Sequence, residues 1–269
     1  MSPFSFEEAR PDPALCRLVH RAWRASTREA IDDFLIVPDG CVDILYSADE
    51  GLQVVGAMTA ALSLSLPAGT EVVGLRLHPG AAAPWLRIDL AELTDGQVPL
   101  GDVLGARVGA LEDLLRSIEN PRHRAMALCR EVAGSLSSCW SEATPRELAF
   151  QRALAALARV DGEVSVEWLA LQCNLGTRQF QRRCLAATGL PPKLLARVFR
   201  LMRVLRQRQH TGSSWTHVAA DCGYADQAHF IHDFTDLVGC SPGAYARRQG
   251  DVRFSQVDGA HSPIESCHA

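Results

Sequence analysis

Lysine is almost absent from this chain. Of 27 basic residues in 269, all but Lys193 are arginine, a bias that genome composition alone can impose. Also missing is any apolar run close to the roughly 20 residues that a membrane-spanning helix needs, which argues against such a span. The N-terminal MSPFSFEEARPDP has no basic patch leading into an apolar stretch, so no signal peptide is expected and a soluble, cytoplasmic protein is. Low-complexity segments are lacking too, and so is any CxxC pair. The nine cysteines stand at 16, 41, 129, 139, 173, 184, 222, 240 and 267, an odd number at irregular spacing. Free, largely buried thiols are the expectation, with no disulfide framework, resident metal or cofactor.

Apolar residues, by contrast, make up 47% of the chain, enough for real cores, and 269 residues suffice for two domains of ordinary size. Charge is divided unevenly. Residues 1–144 hold 12 Arg against 20 Asp and Glu, a net −8. Residues 145–250 hold 14 Lys and Arg against 8 acids, a net +6. Residues 251–269 carry one Arg and three acids, a net −2. A basic half joined to an acidic one raises the question of a polyanionic partner, although solvated charge on surface helices gives the same count.

The first half reads as antiparallel β. FLIVP (34–38), VDILYS (42–47), LQVVG (52–56), LSLSL (62–66) and EVVGLRL (71–77) are short, rich in Val, Ile and Leu, and separated by turn signals such as Pro38-Asp39-Gly40 and Pro67-Ala68-Gly69. A curled sheet, barrel or sandwich is expected. Helical patterns follow: a short one in AAAPWL, one over 101–118 and one over 122–140. Thr144-Pro145 supplies an N-cap and first helical residue for a helix through Arg159. From there to about Arg248 the pattern is helical throughout. The polar final twenty residues are expected to be partly disordered, with VRFSQV (252–257) as a candidate strand. The expected fold is thus α+β: a β-rich domain with helices over 1–144, an all-α domain over 145–250, and a tail over 251–269.

The all-α part contains an internal repeat. Its two copies span 166–197 and 215–247 and contain CNLGTRQFQRRCLAATG (173–189) and CGYADQAHFIHDF (222–234). Ala170 and Cys173 match Ala219 and Cys222 at an offset of 49. After one inserted residue, Phe180, Gly189 and Pro192 match Phe230, Gly239 and Pro242 at an offset of 50. Each copy reads as a short helix with a small inner alanine, a tight turn, and a second helix starting near Thr177 or Asp226. That is the pattern of a helix-turn-helix. Phe180, Cys184 and Leu185 are expected inward in one copy; Phe230, Phe234 and Leu237 in the other. Outward lie Arg178, Gln179, Gln181 and Arg182, and then Gln227, Ala228, Ile231 and His232. Arginine forks to guanine and glutamine to adenine, so these faces suit the major groove, whereas any one of them alone would more often be a solvated surface residue. Between the copies KLLARVFRLMRVLRQRQ (193–209) reads as a helix about 25 Å long. Arg197, Arg200, Arg203, Arg206 and Arg208 lie on its polar face, as phosphate contacts or as solvated charge.

Residues 164–248 resemble the DNA-binding domain of the AraC/XylS family of transcription regulators. The likeness is carried by SVEWLALQCNLGTRQFQRRCLAATGLPPKLLARVFRLMRVL and by WTHVAADCGYADQAHFIHDFTDLVGCSPGAYAR. Within the second, the A-x-x-C-G-Y turn, the D-Q-x-H-F helix start and the G-x-S-P-x-x-Y ending are the most diagnostic. The resemblance implies a sequence-specific regulator whose paired helices read two successive major grooves of double-stranded DNA. It assigns the reading to Arg178, Gln179, Gln181 and Arg182, and to Gln227, Ala228 and His232. RNA polymerase, a small-molecule effector and a second subunit are the further partners it implies, with no membrane and no catalysis. The sign of regulation is not in the sequence. Two departures stand out: Gly176 or Thr177 replaces a serine cap, and His232 replaces a residue that is often more basic, implying a weaker contact. PDGCVDILY, VVGLRLHPGAAAPWL and ELTDGQVPLGDVLG resemble the sensory domain of one subgroup of the same family. An alternative is a thiol- or metal-responsive sensor, or an enzyme, using Cys41 with Asp43 and His78. A helix-turn-helix that no longer binds DNA is another alternative, disfavoured by the basic face.

Overall fold

The computed structural model describes residues 3–249, so the expected tail over 251–269 and its strand fall outside them. The first half contains β1 (Phe4–Ala9), β2 (Val19–Thr27), β3 (Ile31–Ile36), β4 (Val42–Ser47), β5 (Gly51–Val55), β6 (Leu62–Leu66) and β7 (Glu71–Leu77). After them come the short helix α1 (Ala83–Leu86), a 3-10 turn at Leu90–Leu93, and β8 (Gln97–Pro99). Six strands form an antiparallel sheet in the order β1-β2-β7-β4-β5-β8, while β3 and β6 pair separately. Alternation sets the register. Ile44 pairs with Leu75 and Tyr46 with Val73, and all four point to one buried face. The α+β class expected from the sequence is the one observed. β1, β2 and β8 add to it: FSFEEA and VHRAWRAST are strands despite their charge, because β1 lies at the sheet edge and β2 pairs with both β1 and β7.

Helices cover the sheet and then continue alone. α2 (Leu100–Leu104) and α3 (Gly109–Ser117) are separated by a 3-10 turn, where a single helix over 101–118 was expected. The break falls at Gly105, whose φ of 65° no continuing helix accepts. α4 (Pro121–Ser141) opens on the Asn120 cap and lays Leu128, Val132 and Leu136 against the sheet's apolar face. α5 (Pro145–Arg159) begins as expected: Thr144 Oγ1 accepts from the Glu147 amide at 3.3 Å, and Glu147 accepts from the Thr144 amide at 2.6 Å.

The remaining helices are α6 (Val166–Gln172), α7 (Thr177–Thr188), α8 (Pro192–Thr211), α9 (Trp215–Asp221), α10 (Gln227–Val238) and α11 (Pro242–Gln249). They share a second core around Phe180, Phe199, Phe230, Phe234 and Tyr245. Leu35, Val37 and Ala57 of the first half are part of that core, so the two halves meet across apolar contact as well as polar bonds. At Gly40 an added Cβ would lie 2.6 Å from Leu195 Cδ1, so the Pro38–Cys41 turn abuts α8. Among the described residues no helix is long and apolar enough to cross a membrane.

Candidate nucleic-acid interface

The two copies of the repeat are two copies of one local structure. Ser165 caps α6 by accepting from the Trp168 amide at 3.1 Å; Ser214 caps α9 by accepting from the His217 amide at 3.3 Å. The turns pass through a left-handed residue at equivalent places, Asn174 at φ 52° and Gly223 at φ 78°. Ala170 and Ala219, Cys173 and Cys222, and Phe180 and Phe230 are all buried. Gly189 and Gly239 end α7 and α10 at φ 79° and 78°, as the left-handed C-cap requires. Leu185, expected inward, is 37% exposed instead. Cys184 and Thr188 fill the inner stripe of α7, and Leu185 lies one step round the helix from it.

The second helices start differently. Asp226 caps α10 by accepting from the His229 amide at 2.7 Å. α7 has Gly176 at its cap, with no side chain to offer, and Gln179 Oε1 reaches back to the Gly176 amide at 3.2 Å. Gln179 therefore helps to start the helix and keeps its NH₂ and one Oε1 lone pair for any partner.

Arg178, Gln179, Gln181 and Arg182 are exposed on α7; Gln227, Ala228, Ile231 and His232 are exposed on α10. Arg178, Gln181 and Arg182 make no hydrogen bond or ion pair among the described residues. On α10 the exposed face forms a shallow depression lined by Ala228, Ile231, His232, Thr235 and Asp236.

The arginines of α8, expected as phosphate contacts or as solvated charge, have ion-pair or ring partners within the protein. Arg197 Nε lies 2.9 Å from Asp233, and a second nitrogen of the same guanidinium binds Asp236. Arg203 binds Glu163 at 2.7 Å and the Asp221 carbonyl at 3.2 Å; Arg206 binds Asp161 at 2.8 Å. Arg200 and Arg208 lie over the rings of Tyr224 and Trp215, 5.4 and 5.3 Å from their centroids. The rod between the copies thus uses its arginines to hold the α5–α6 loop, α9 and α10. At 20 residues it is about 30 Å long.

The thiol alternative finds no reactive centre. Cys41 is buried, and desolvation with the nearby Asp39 carboxylate pushes its thiol up, away from the reactive thiolate. Arg76, also buried, binds Asp39 at 2.9 Å and Asp43 at 3.2 Å, and Trp23 Nε1 donates to Asp43. His78 makes its bond elsewhere, to the Cys16 carbonyl at 3.1 Å, and burial lowers it to about 4. Among the described residues no group of three His, Cys, Asp or Glu could hold a metal. Separately, a cavity of about 210 Å³ lies between α2, α3 and α4, lined by Trp85, Leu100, Val108, Leu111 and Val132, with Arg107 and Glu131 also in its wall.

Comparison with known proteins bears on both halves. Residues 169–248 match a family described as a helix-turn-helix domain, and residues 7–99 match a domain of unknown function (DUF6597). The HTH-type transcriptional activator RhaS of Escherichia fergusonii is 35% identical over 79 residues, 29% of this chain and 28% of that protein; the chain thus spans little more than a quarter of that relative's length. Apo ToxT of Vibrio cholerae aligns over 91% of this chain and 97% of its own at 12% identity and a TM-score of 0.39. A form of ToxT bound to an unsaturated fatty acid aligns over 90% and 93%, also at 12% and 0.39. Those two likenesses are too distant to carry a statement about this protein. The tandem helix-turn-helix units, their sequence motifs and the RhaS match identify residues 169–248 as a helix-turn-helix DNA-binding domain of the AraC/XylS type.

Proposed function

We propose that the protein is a sequence-specific transcription regulator that places α7 and α10 in successive major grooves of one double-stranded DNA. The observation that carries this reading is the contrast between arginines. Every arginine of α8 has an ion pair or a ring contact within the protein, whereas Arg178 and Arg182 of α7 have none among the described residues. Leaving two guanidiniums without internal partners beside Gln181 has an evident use on DNA, where they fork to guanine N7 and O6 or to phosphate, and Gln181 pairs with adenine. Gln227, Ala228 and His232 take the corresponding part on α10, with Ala228 limited to apolar contact such as a thymine methyl.

Residues 1–144 are the sensory or dimerisation domain in this reading, and residues 145–250 the DNA-binding domain. An effector or a second subunit acts through the former, and the 210 Å³ cavity is the place to look for a small molecule. RNA polymerase is the natural further partner, and the relative's description as an activator suggests the same sign here. The test is genome-wide mapping of bound sites, followed by titration of a recovered duplex and a scrambled one at two salt concentrations. Specific binding that weakens steeply with salt is expected. Equal affinity for both duplexes would overturn the reading.

A further inference from the structure

The first half of the chain holds both second helices by their C-terminal ends. The carbonyl of Gly189, which closes α7, accepts from Thr94 Oγ1 at 2.7 Å. The carbonyl of Leu237, in the last turn of α10, accepts from the Ala61 amide at 2.7 Å. The last carbonyls of a helix have no partner inside it, so both bonds satisfy groups that would otherwise need water or a cap. Contact at α7 is close: a Cβ on Gly189 would lie 3.0 Å from both the Leu90 carbonyl and Thr94 Oγ1, whereas one on Gly239 would meet nothing within 4 Å.

Thr94 and Ala61 belong to different loops, and those loops are bonded to each other. Asp95 accepts from the Thr59 amide and from Thr59 Oγ1, each at 2.6 Å. The Asp95 amide donates to the Ala57 carbonyl at 3.1 Å, and the Gly56 amide to the Gly96 carbonyl at 3.0 Å. A path of a few residues therefore runs from the end of α7 through Thr94, Asp95, Thr59 and Ala61 to the end of α10. A further tie joins Arg248 of α11 to Asp33 of β3 at 2.6 Å. These are connections between the two helix-turn-helix units that do not pass through α8.

We propose that Thr94, Asp95 and Thr59 are positioning residues that fix α7 relative to α10, and so set the spacing between DNA half-sites that the protein accepts. This rests on α7 and α10 being the DNA-reading helices. One base pair more or less between half-sites displaces the second groove by about 3.4 Å and rotates it by about a tenth of a turn. Two helices each braced at the C-terminal end cannot follow such a change; with one brace released, α7 and α10 adjust about α8.

The test uses the full-length protein with Thr94→Val and Thr59→Val, each losing one hydroxyl at nearly constant shape, and Asp95→Asn, which tolerates the φ of 56° and keeps an acceptor. The mapped duplex is prepared with one or two base pairs added to or removed from the spacer. Wild type should lose affinity by about tenfold at one base pair, and the two valine variants by less than threefold, with binding at the native spacing retained and Asp95→Asn in between. Equal loss at every spacing, or a profile parallel to wild type, overturns the proposal. Hydrogen exchange without DNA separates this from the DNA reading. Thr94→Val should speed exchange of the Ala61 amide several-fold, although Ala61 is far from it in sequence. Unchanged exchange there rejects the brace whatever DNA does; faster exchange with no specific duplex bound by wild type rejects the DNA reading and leaves the brace.

Discussion

α7 and α10 are helices of twelve residues each, set in the same frame and facing outward with different chemistry. α7 shows two arginines and a glutamine, all without partners among the described residues. α10 shows Gln227, Ala228, Ile231, His232 and Thr235, and the acids nearest that face, Asp233 and Asp236, are bound to Arg197. Inside, the copies match almost residue for residue, because packing fixes a small alanine, a cysteine and a phenylalanine at equivalent places. Outside, nothing in the fold constrains them, and they have diverged into one cationic face and one nearly neutral one. If both helices read DNA as proposed, affinity through charge and hydrogen bonds would belong mainly to α7, while α10 would discriminate more by shape and apolar contact.

The sharpest way to break this comparison is at the rod. Arg197→Ala leaves the buried Asp233 carboxylate without its cation, and stability should fall by about 3 kcal/mol in a denaturant melt. An unchanged melt with weakened binding to all DNA would return Arg197 to the phosphate contacts. Next in size is Arg182→Ala, which should cost about 1–3 kcal/mol on the cognate duplex, much less on random DNA, and within about 0.5 kcal/mol of nothing in the melt. An equal loss on both duplexes would make Arg182 a phosphate contact. Ile231→Ala should cost roughly 1 kcal/mol or less, at one position of the α10 half-site. Replacing a thymine there by uracil removes the methyl; wild type should notice and the variant should not. The smallest effect belongs to Cys41, whose alkylation should run slower than that of a free model thiol and leave DNA binding unchanged. Alkylation at or above the model rate would reinstate thiol sensing.

Much of the repeat was legible because burial writes a pattern. The offsets of 49 and 50, the capping residues and the glycines that end both helices are all visible in the letters. The role of the α8 arginines was not. A run of arginines on one helix face looks the same whether it meets phosphate or protein, and the carboxylates that meet it come from Asp161, Glu163, Asp233 and Asp236, distant in sequence. β1 and β2 escaped notice because their alternation is of half-buried charged and small residues, stabilised by neighbours on the sheet. Least legible was the Thr94–Asp95–Thr59–Ala61 path. Two of its contacts end on main-chain carbonyls, which every residue possesses, and its one local cue, the turn at Asp95-Gly96, announces a bend without naming what it touches.

The same anonymity has an evolutionary side. Because the first half grasps α7 and α10 through peptide oxygens, replacements at Arg178, Gln181, Arg182, Gln227 or Ile231 leave its hold untouched. On the proposed reading, a descendant of this protein could therefore acquire a new target sequence one side chain at a time while inheriting its internal linkage unaltered.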